Sequence, residues 1–164
     1  MEVNISYYLD EHGWSSCWIY ANHKLYEVSI THIYSECPIE DCINALIGIM
    51  NGETERKFNW YGEPGGDQII LREIPTAKHK INFRVIGFYE EYGEDIGDLE
   101  ARQEKIKTAF DIKKIQLIRM FYFEFKKIFE LMKDKHFKEK RKNDFPFKKF
   151  SEFELIAVEY MKLK

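Results

Sequence analysis

The apolar residues of this chain change their period partway along, and that change constrains the fold more than any other feature. Up to Ile112 they recur mainly at every second position, which puts them on one face of a strand. From Lys113 they recur every three or four, which puts them on one face of a helix. Val3, Ile5, Tyr7 and Leu9 alternate with polar or mixed neighbours until Glu11-His12-Gly13 interrupts, and residues 14–20 begin a second strand-like run. After Ala21-Asn22-His23-Lys24, a second turn signal, Tyr26, Val28 and Ile30 alternate with Glu27, Ser29 and Thr31. The three runs predict an antiparallel meander.

One helical stretch interrupts the strands. Pro38 suits a first helical position, with Ser35 as its cap and Glu40 and Asp41 where the helix dipole favours negative charge. Ile39, Cys42, Ile43, Leu46, Ile47 and Met50 then form one apolar stripe, and Asn51-Gly52 stops it. Phe58 and Trp60 share a face of the next strand, which ends in the loop Gly62-Glu63-Pro64-Gly65-Gly66. Ile69-Ile70-Leu71 leads to Ile74-Pro75, and residues 75–79 turn the chain into a strand with Ile81, Phe83 and Val85. That strand is apolar on both faces near its end, which predicts a central place in the sheet.

Residues 90–100 read as an exposed acidic loop. Ile106, Thr108, Phe110 and Ile112 alternate with Lys105, Lys107, Ala109 and Asp111 and predict a seventh strand. Ile115, Ile118, Tyr122, Phe125, Phe129, Met132 and His136 or Phe137, widened by Leu117, Phe121 and Ile128, predict one long helix that covers the sheet. Asp144-Phe145-Pro146 separates it from a terminal amphipathic helix over residues 147–163, for which Ser151 and Glu154 have the spacing of a capping box. The expected fold is α+β: a single domain over residues 1–164 with one mostly antiparallel sheet of six or seven strands, order β-β-β-α-β-β-β-α-α, and the helices on one face.

With 45% hydrophobic and 16% aromatic residues the chain is too apolar for disorder. Met1-Glu2-Val3-Asn4 has neither the basic nor the apolar segment of a secretory signal, and no apolar run is long enough to span a bilayer, so a cytoplasmic location is expected. Cys17, Cys37 and Cys42 are too few and too irregular for a disulfide framework. Cys37 and Cys42, with His32 upstream, also lack zinc spacing, and no metal or other cofactor is expected.

Charge is sorted along the chain. Residues 1–100 hold 18 Asp and Glu against 7 Lys and Arg, whereas residues 101–164 hold 10 against 18, so the net charge of −3 conceals an acidic front and a basic tail. Such sorting bears on partners and association rates. Glu90, Glu91, Glu94, Asp95, Asp98 and Glu100 concentrate the acidity in one segment, with Tyr89 and Tyr92 beside them as aromatic anchors. In the tail, residues 138–142 with Lys133, Lys135, Lys148 and Lys149 offer a second reading, nucleic-acid binding through phosphates. Asp134, Glu139 and Asp144 oppose it, and the solvated back of a packed helix explains the cations equally well. Glu63 and Asp67, flanking the glycine-rich loop, with Glu73 beyond, have the composition of an acid/base site but no electrophilic partner. The histidines at 12, 23, 32, 79 and 136 lie in no nucleophile motif. The glycine-rich loop also lacks the Lys-Ser/Thr ending of a phosphate loop.

Phe58-Asn59-Trp60-Tyr61-Gly62-Glu63-Pro64-Gly65, the segment Gln68-Ile69-Ile70-Leu71 and the later Phe145-Pro146 ahead of a short helix resemble small uncharacterised bacterial proteins, some of which look like immunity proteins of polymorphic toxin systems. The resemblance implies a non-catalytic protein that binds and neutralises a cognate toxin domain, and it brings no site residues with it. Together with the charge sorting it gives the expected function: a protein-binding module whose partner is a basic protein such as a toxin domain. The surface expected to meet it comprises Trp60, Tyr61, Glu63, Asp67, Tyr89, Glu90, Glu91, Tyr92, Glu94 and Asp95.

Overall fold

A computed structural model describes residues 2–34, 37–141 and 143–162. Strands β1 (Val3–Leu9), β2 (Trp14–Ala21) and β3 (Lys24–Thr31) form the expected meander. Its turns use His12, Gly13, Asn22 and His23 at positive φ, the left-handed conformation that reverses a chain tightly. Alternation puts Ile5, Tyr7, Leu9, Cys17, Ile19, Val28 and Ile30 on the buried face. Helix α1 (Pro38–Met50) starts at its proline as expected. Ser35 lies outside the described residues, and Cys37 occupies the cap position without a side-chain hydrogen bond.

Strands β4 (Glu55–Tyr61), β5 (Gly66–Ile74), β6 (Ala77–Phe88) and β7 (Ile106–Lys113) form a second antiparallel sheet in sequence order, so β6 is indeed central and the seventh strand is present. The single sheet of six or seven strands is therefore corrected to two, of three and four strands. Ladders need free edges side by side. Here β3 approaches the second sheet without laddering: Asn22, in the turn before β3, donates to the carbonyl of Ala109 within β7 at 3.2 Å, and the carbonyl of Ser29 approaches Gly62 after β4 so closely that a Cβ there would lie 3.1 Å away.

The buried faces of both sheets share one core with three helices, α1, α2 (Lys114–Leu131) and α4 (Phe147–Lys162). Trp60, Tyr7, Phe83, Phe121, Phe125, Phe150 and Phe153 are its large buried side chains. Helix α2 packs on β1 and closes the open edge of the first sheet, where the Tyr7 amide donates to Glu124 Oε2 at 2.8 Å. The long helix expected to run on to His136 or Phe137 instead ends at Leu131. Asp134 accepts a hydrogen bond from the Phe137 amide and so caps a separate short helix, α3 (Lys135–Glu139), because a capping carboxylate offers the backbone an alternative to continuing. Ser151 is not a cap either. Helix α4 begins four residues earlier, after Pro146, and the Ser151 hydroxyl donates back to the Phe147 carbonyl at 3.0 Å.

Candidate functional site

Two clefts of about 330 Å³ each contain residues of the turn between β4 and β5 or of the strand ends beside it. The turn is tight because Gly65 has φ +69 and leaves no room for a Cβ beside the Phe88 carbonyl. The segment after β6 leads from that point into residues 89–105, which return across the outer face of the second sheet.

This returning segment carries the acidic run; Glu91, Glu94, Asp95 and Asp98 are exposed as expected of a loop, and its end is in addition anchored to the sheet. Leu99, 1% exposed, packs with Ile96 on Ile70, Ile86 and Phe88. Glu100 accepts from Arg72 Nη2 at 2.6 Å and Arg84 Nη1 at 2.8 Å, with Lys57 Nζ at 3.3 Å, and Arg72 foremost, then Lys57, hold its carboxyl down at about 2 against the opposing effect of burial. Glu90 pairs with Arg102 at 2.6 Å. Within the loop Glu94 Oε2 accepts from the Glu91 amide at 2.8 Å, Asp95 from Gly97 at 2.9 Å, and Asp98 from Glu100 and Ala101. Glu94 and Asp95 are exposed, and their oxygens also shape the loop.

The loop brings Tyr92 to Tyr61. Tyr34, which follows the first sheet, stacks on Tyr92 with centroids 4.7 Å apart and planes at 9°, and Tyr61 meets both rings near-perpendicularly at 5.9 and 5.2 Å. These rings line one cleft with Pro38, Asp41, Phe58 and Asn59. Glu63 and Glu91 stand close enough to raise the Tyr34 hydroxyl above its ordinary value, after the larger effect of burial. Tyr89 projects nearby, 84% exposed. The structure therefore gathers Tyr61, Glu63, Tyr89, Glu91 and Tyr92 in one region. Tyr34 and Asp41 are additions that the sequence reading did not include: Tyr34 lies in no periodic run, and Asp41 was accounted for by the helix dipole.

Two expected surface residues are corrected. Trp60 is 0% exposed, packs against Tyr7 and Phe58, and donates from Nε1 to the Pro38 carbonyl at 2.9 Å; its alternation with Phe58 marks a core face. Asp67 is 4% exposed. A bulge in β7 sets Lys107 as the extra residue opposite β6, which turns its ammonium inward to donate to Asp67 Oδ2 at 2.8 Å and to approach Oδ1 at 2.6 Å without hydrogen-bond geometry. Burial raises the Asp67 carboxyl and Lys107 partly offsets it. Asp67 and Glu63 do line a common cleft, with Glu27, Glu104, Lys105 and Lys107. Glu73 lies apart, ion-paired with Lys114.

His32 has acquired partners that local sequence could not reveal. Ser15 Oγ lies 2.5 Å from its Nε2 and Asp144 Oδ1 lies 3.9 Å from its Nδ1. The set has the composition of a hydrolytic triad, but Ser15 is 1% exposed and the histidine-to-aspartate distance exceeds hydrogen bonding, so its visible role is to tie β2 to the connection ahead of α4. Cys37 Sγ contacts the Asp144 carbonyl at 3.7 Å, its thiol pushed up to about 11 by burial. Cys17 and Cys42 are buried in the core, all three thiols are free, and among the described residues no three His, Cys, Asp or Glu side chains group as a metal site requires.

Several cations of the tail are engaged: Lys140 with Glu11, Lys133 with Glu130, Lys149 with Glu152, and Arg141 with the carbonyls of Leu9 and Phe137. Lys142 lies outside the described residues. Among the described residues no helix is long and apolar enough to cross a membrane. No protein-family model, curated protein or solved structure matches the chain.

Proposed function

We propose that this protein is a non-catalytic binding module that meets a basic protein partner, such as a toxin domain, through the tyrosine-bearing acidic surface around the β4–β5 turn. The observation that carries the reading is the convergence of Tyr34, Tyr61 and Tyr92 from three separate segments into one aromatic cluster, with Glu63 and Glu91 beside it. Aromatic rings that are partly buried and rigidly packed lose little conformational freedom on binding, and neighbouring carboxylates steer a cationic surface toward them. Occlusion of the partner's own anion-binding surface would be the mechanism of neutralisation.

The residues suited to testing this are fewer than the acidic run suggests. Glu90, Glu94, Asp95 and Glu100 hold the loop's conformation, so reversing them would alter shape as well as charge. The side chains of Glu63 and Glu91 make none of those bonds, Glu91 taking part through its backbone alone, which a substitution leaves in place. Glu63→Lys with Glu91→Lys is expected to slow association with a basic partner captured from the source cell about tenfold at low salt, with a smaller effect at high salt. Surface-plasmon on-rates across a salt series measure it, and rates unchanged by the double reversal contradict the proposal.

A further inference from the structure

The tyrosine cleft differs from a merely acidic surface in the shape of cation it favours. Its wall is a parallel aromatic pair, Tyr34 on Tyr92, buttressed by Tyr61, and Asp41 of the first turn of α1 shares its lining. The lysine that also lines it, Lys57, is turned to Glu55 at 3.5 Å and Glu100 at 3.3 Å, carboxylates that it shares with Arg72 and Arg84. At about 330 Å³ the cleft has room for a single long side chain and is too small for a folded element.

A guanidinium is planar, delocalised and weakly hydrated. It can lie along an aromatic stack while presenting its N–H fork to a carboxylate, whereas an ammonium, though it too is drawn to a ring face, is a compact, strongly hydrated charge with neither a plane to stack nor a fork. We propose that this cleft receives an arginine side chain of the basic partner, its guanidinium extending the Tyr34–Tyr92 stack and its edge directed to Asp41. The inference rests on the binding surface proposed above and adds to it which basic residue is read.

The test uses the full chain and two peptides of equal charge, hexa-arginine and hexa-lysine, titrated calorimetrically at about 50 mM salt so that screening is weak. Hexa-arginine is expected to bind about fivefold more tightly, the size of one cation–π contact. Tyr34→Ala and Asp41→Asn should each bring the two peptides toward equal affinity, while Tyr34→Phe, which keeps the ring, should retain the preference. Circular dichroism identifies any variant that fails to fold, and Asp41→Asn, a near-isosteric change, then carries the comparison with Tyr34→Phe. Equal affinity of the two peptides for the unmodified protein overturns the arginine cleft, as does a preference that survives Asp41→Asn and Tyr34→Ala. If the peptides bind equally and both are weakened by Glu63→Lys with Glu91→Lys, the acidic binding surface stands without the cleft. If neither peptide binds, both readings fall.

Discussion

His32 sits in the fold where a charge is costly. Burial lowers its pKa from the ordinary 6.5, and Asp144, 3.9 Å from Nδ1, offsets only part of that effect. The unfolded chain therefore takes up this proton first as the solution is acidified. The contribution of His32 is whole above about pH 6.5 and declines as pH falls from there toward the lower folded-state value, at no more than about 1.4 kcal/mol per pH unit. Denaturant midpoints at pH 7.5 and 5.5 should fall in the unmodified protein, and His32→Gln should flatten that fall; a slope unaltered by the substitution would place the titration elsewhere. The sequence shows why such a residue resists prediction. His32 follows a strand and Asp144 lies more than a hundred residues on, so nothing local marks them as neighbours. Trp60 is the converse case: its alternation with Phe58 was legible as a shared face, but whether that face pointed to core or partner depended on a carbonyl of α1.

At the scale of elements, the 89–105 segment shows how a loop rich in carboxylates becomes structured. One glutamate engages three cations on the sheet below it, and an apolar pair beside it excludes water. Glu100→Gln is expected to cost about 1–2 kcal/mol after allowance for solvent screening, and to raise hydrogen exchange in this segment before the rest of the fold. Because the folded pKa is held below the ordinary 4.5, the carboxylate's contribution is present above that pH and is lost as pH falls from about 4.5 to about 2. The β4–β5 turn depends on geometry instead of charge. A Cβ on Gly65 would sit 2.2 Å from the Phe88 carbonyl oxygen, in a backbone conformation that side chains avoid, so Gly65→Ala should lower stability by more than about 2 kcal/mol in thermal or denaturant unfolding. An unchanged midpoint would mean that the turn relaxes freely. Elements themselves were well marked in sequence: Pro38 starts its helix, and strict alternation identified β7 against its helical neighbourhood. Their ends were not, because Asp134 and Ser151 both carry an oxygen able to accept from a backbone amide, yet only Asp134 does so, while the Ser151 hydroxyl donates to the Phe147 carbonyl inside a helix already begun.

For the whole molecule, period and turn chemistry specify strands, whereas the partition into sheets is a question of which edges meet. Helix α1 stands between β3 and β4 in the chain and carries them to positions where they approach without laddering, a long-range outcome with no local signature. Charge sorting proved partly legible: the acidic front does supply the carboxylates around the tyrosine cluster, while the basic tail is drawn into ion pairs and backbone contacts with residues such as Leu9, Glu11 and Glu130. The placement of α4 has a further consequence, for the order in which the chain matures. Phe150, Phe153 and Ala157 are wholly buried against α1 and α2. Both sheets are formed from hairpins adjacent in sequence and can pair early, but on a ribosome the apolar flank of α1 waits for a helix translated about a hundred residues later. Until that helix emerges, the nascent protein presents sticky surface, which makes it a natural client for chaperones that bind exposed apolar segments.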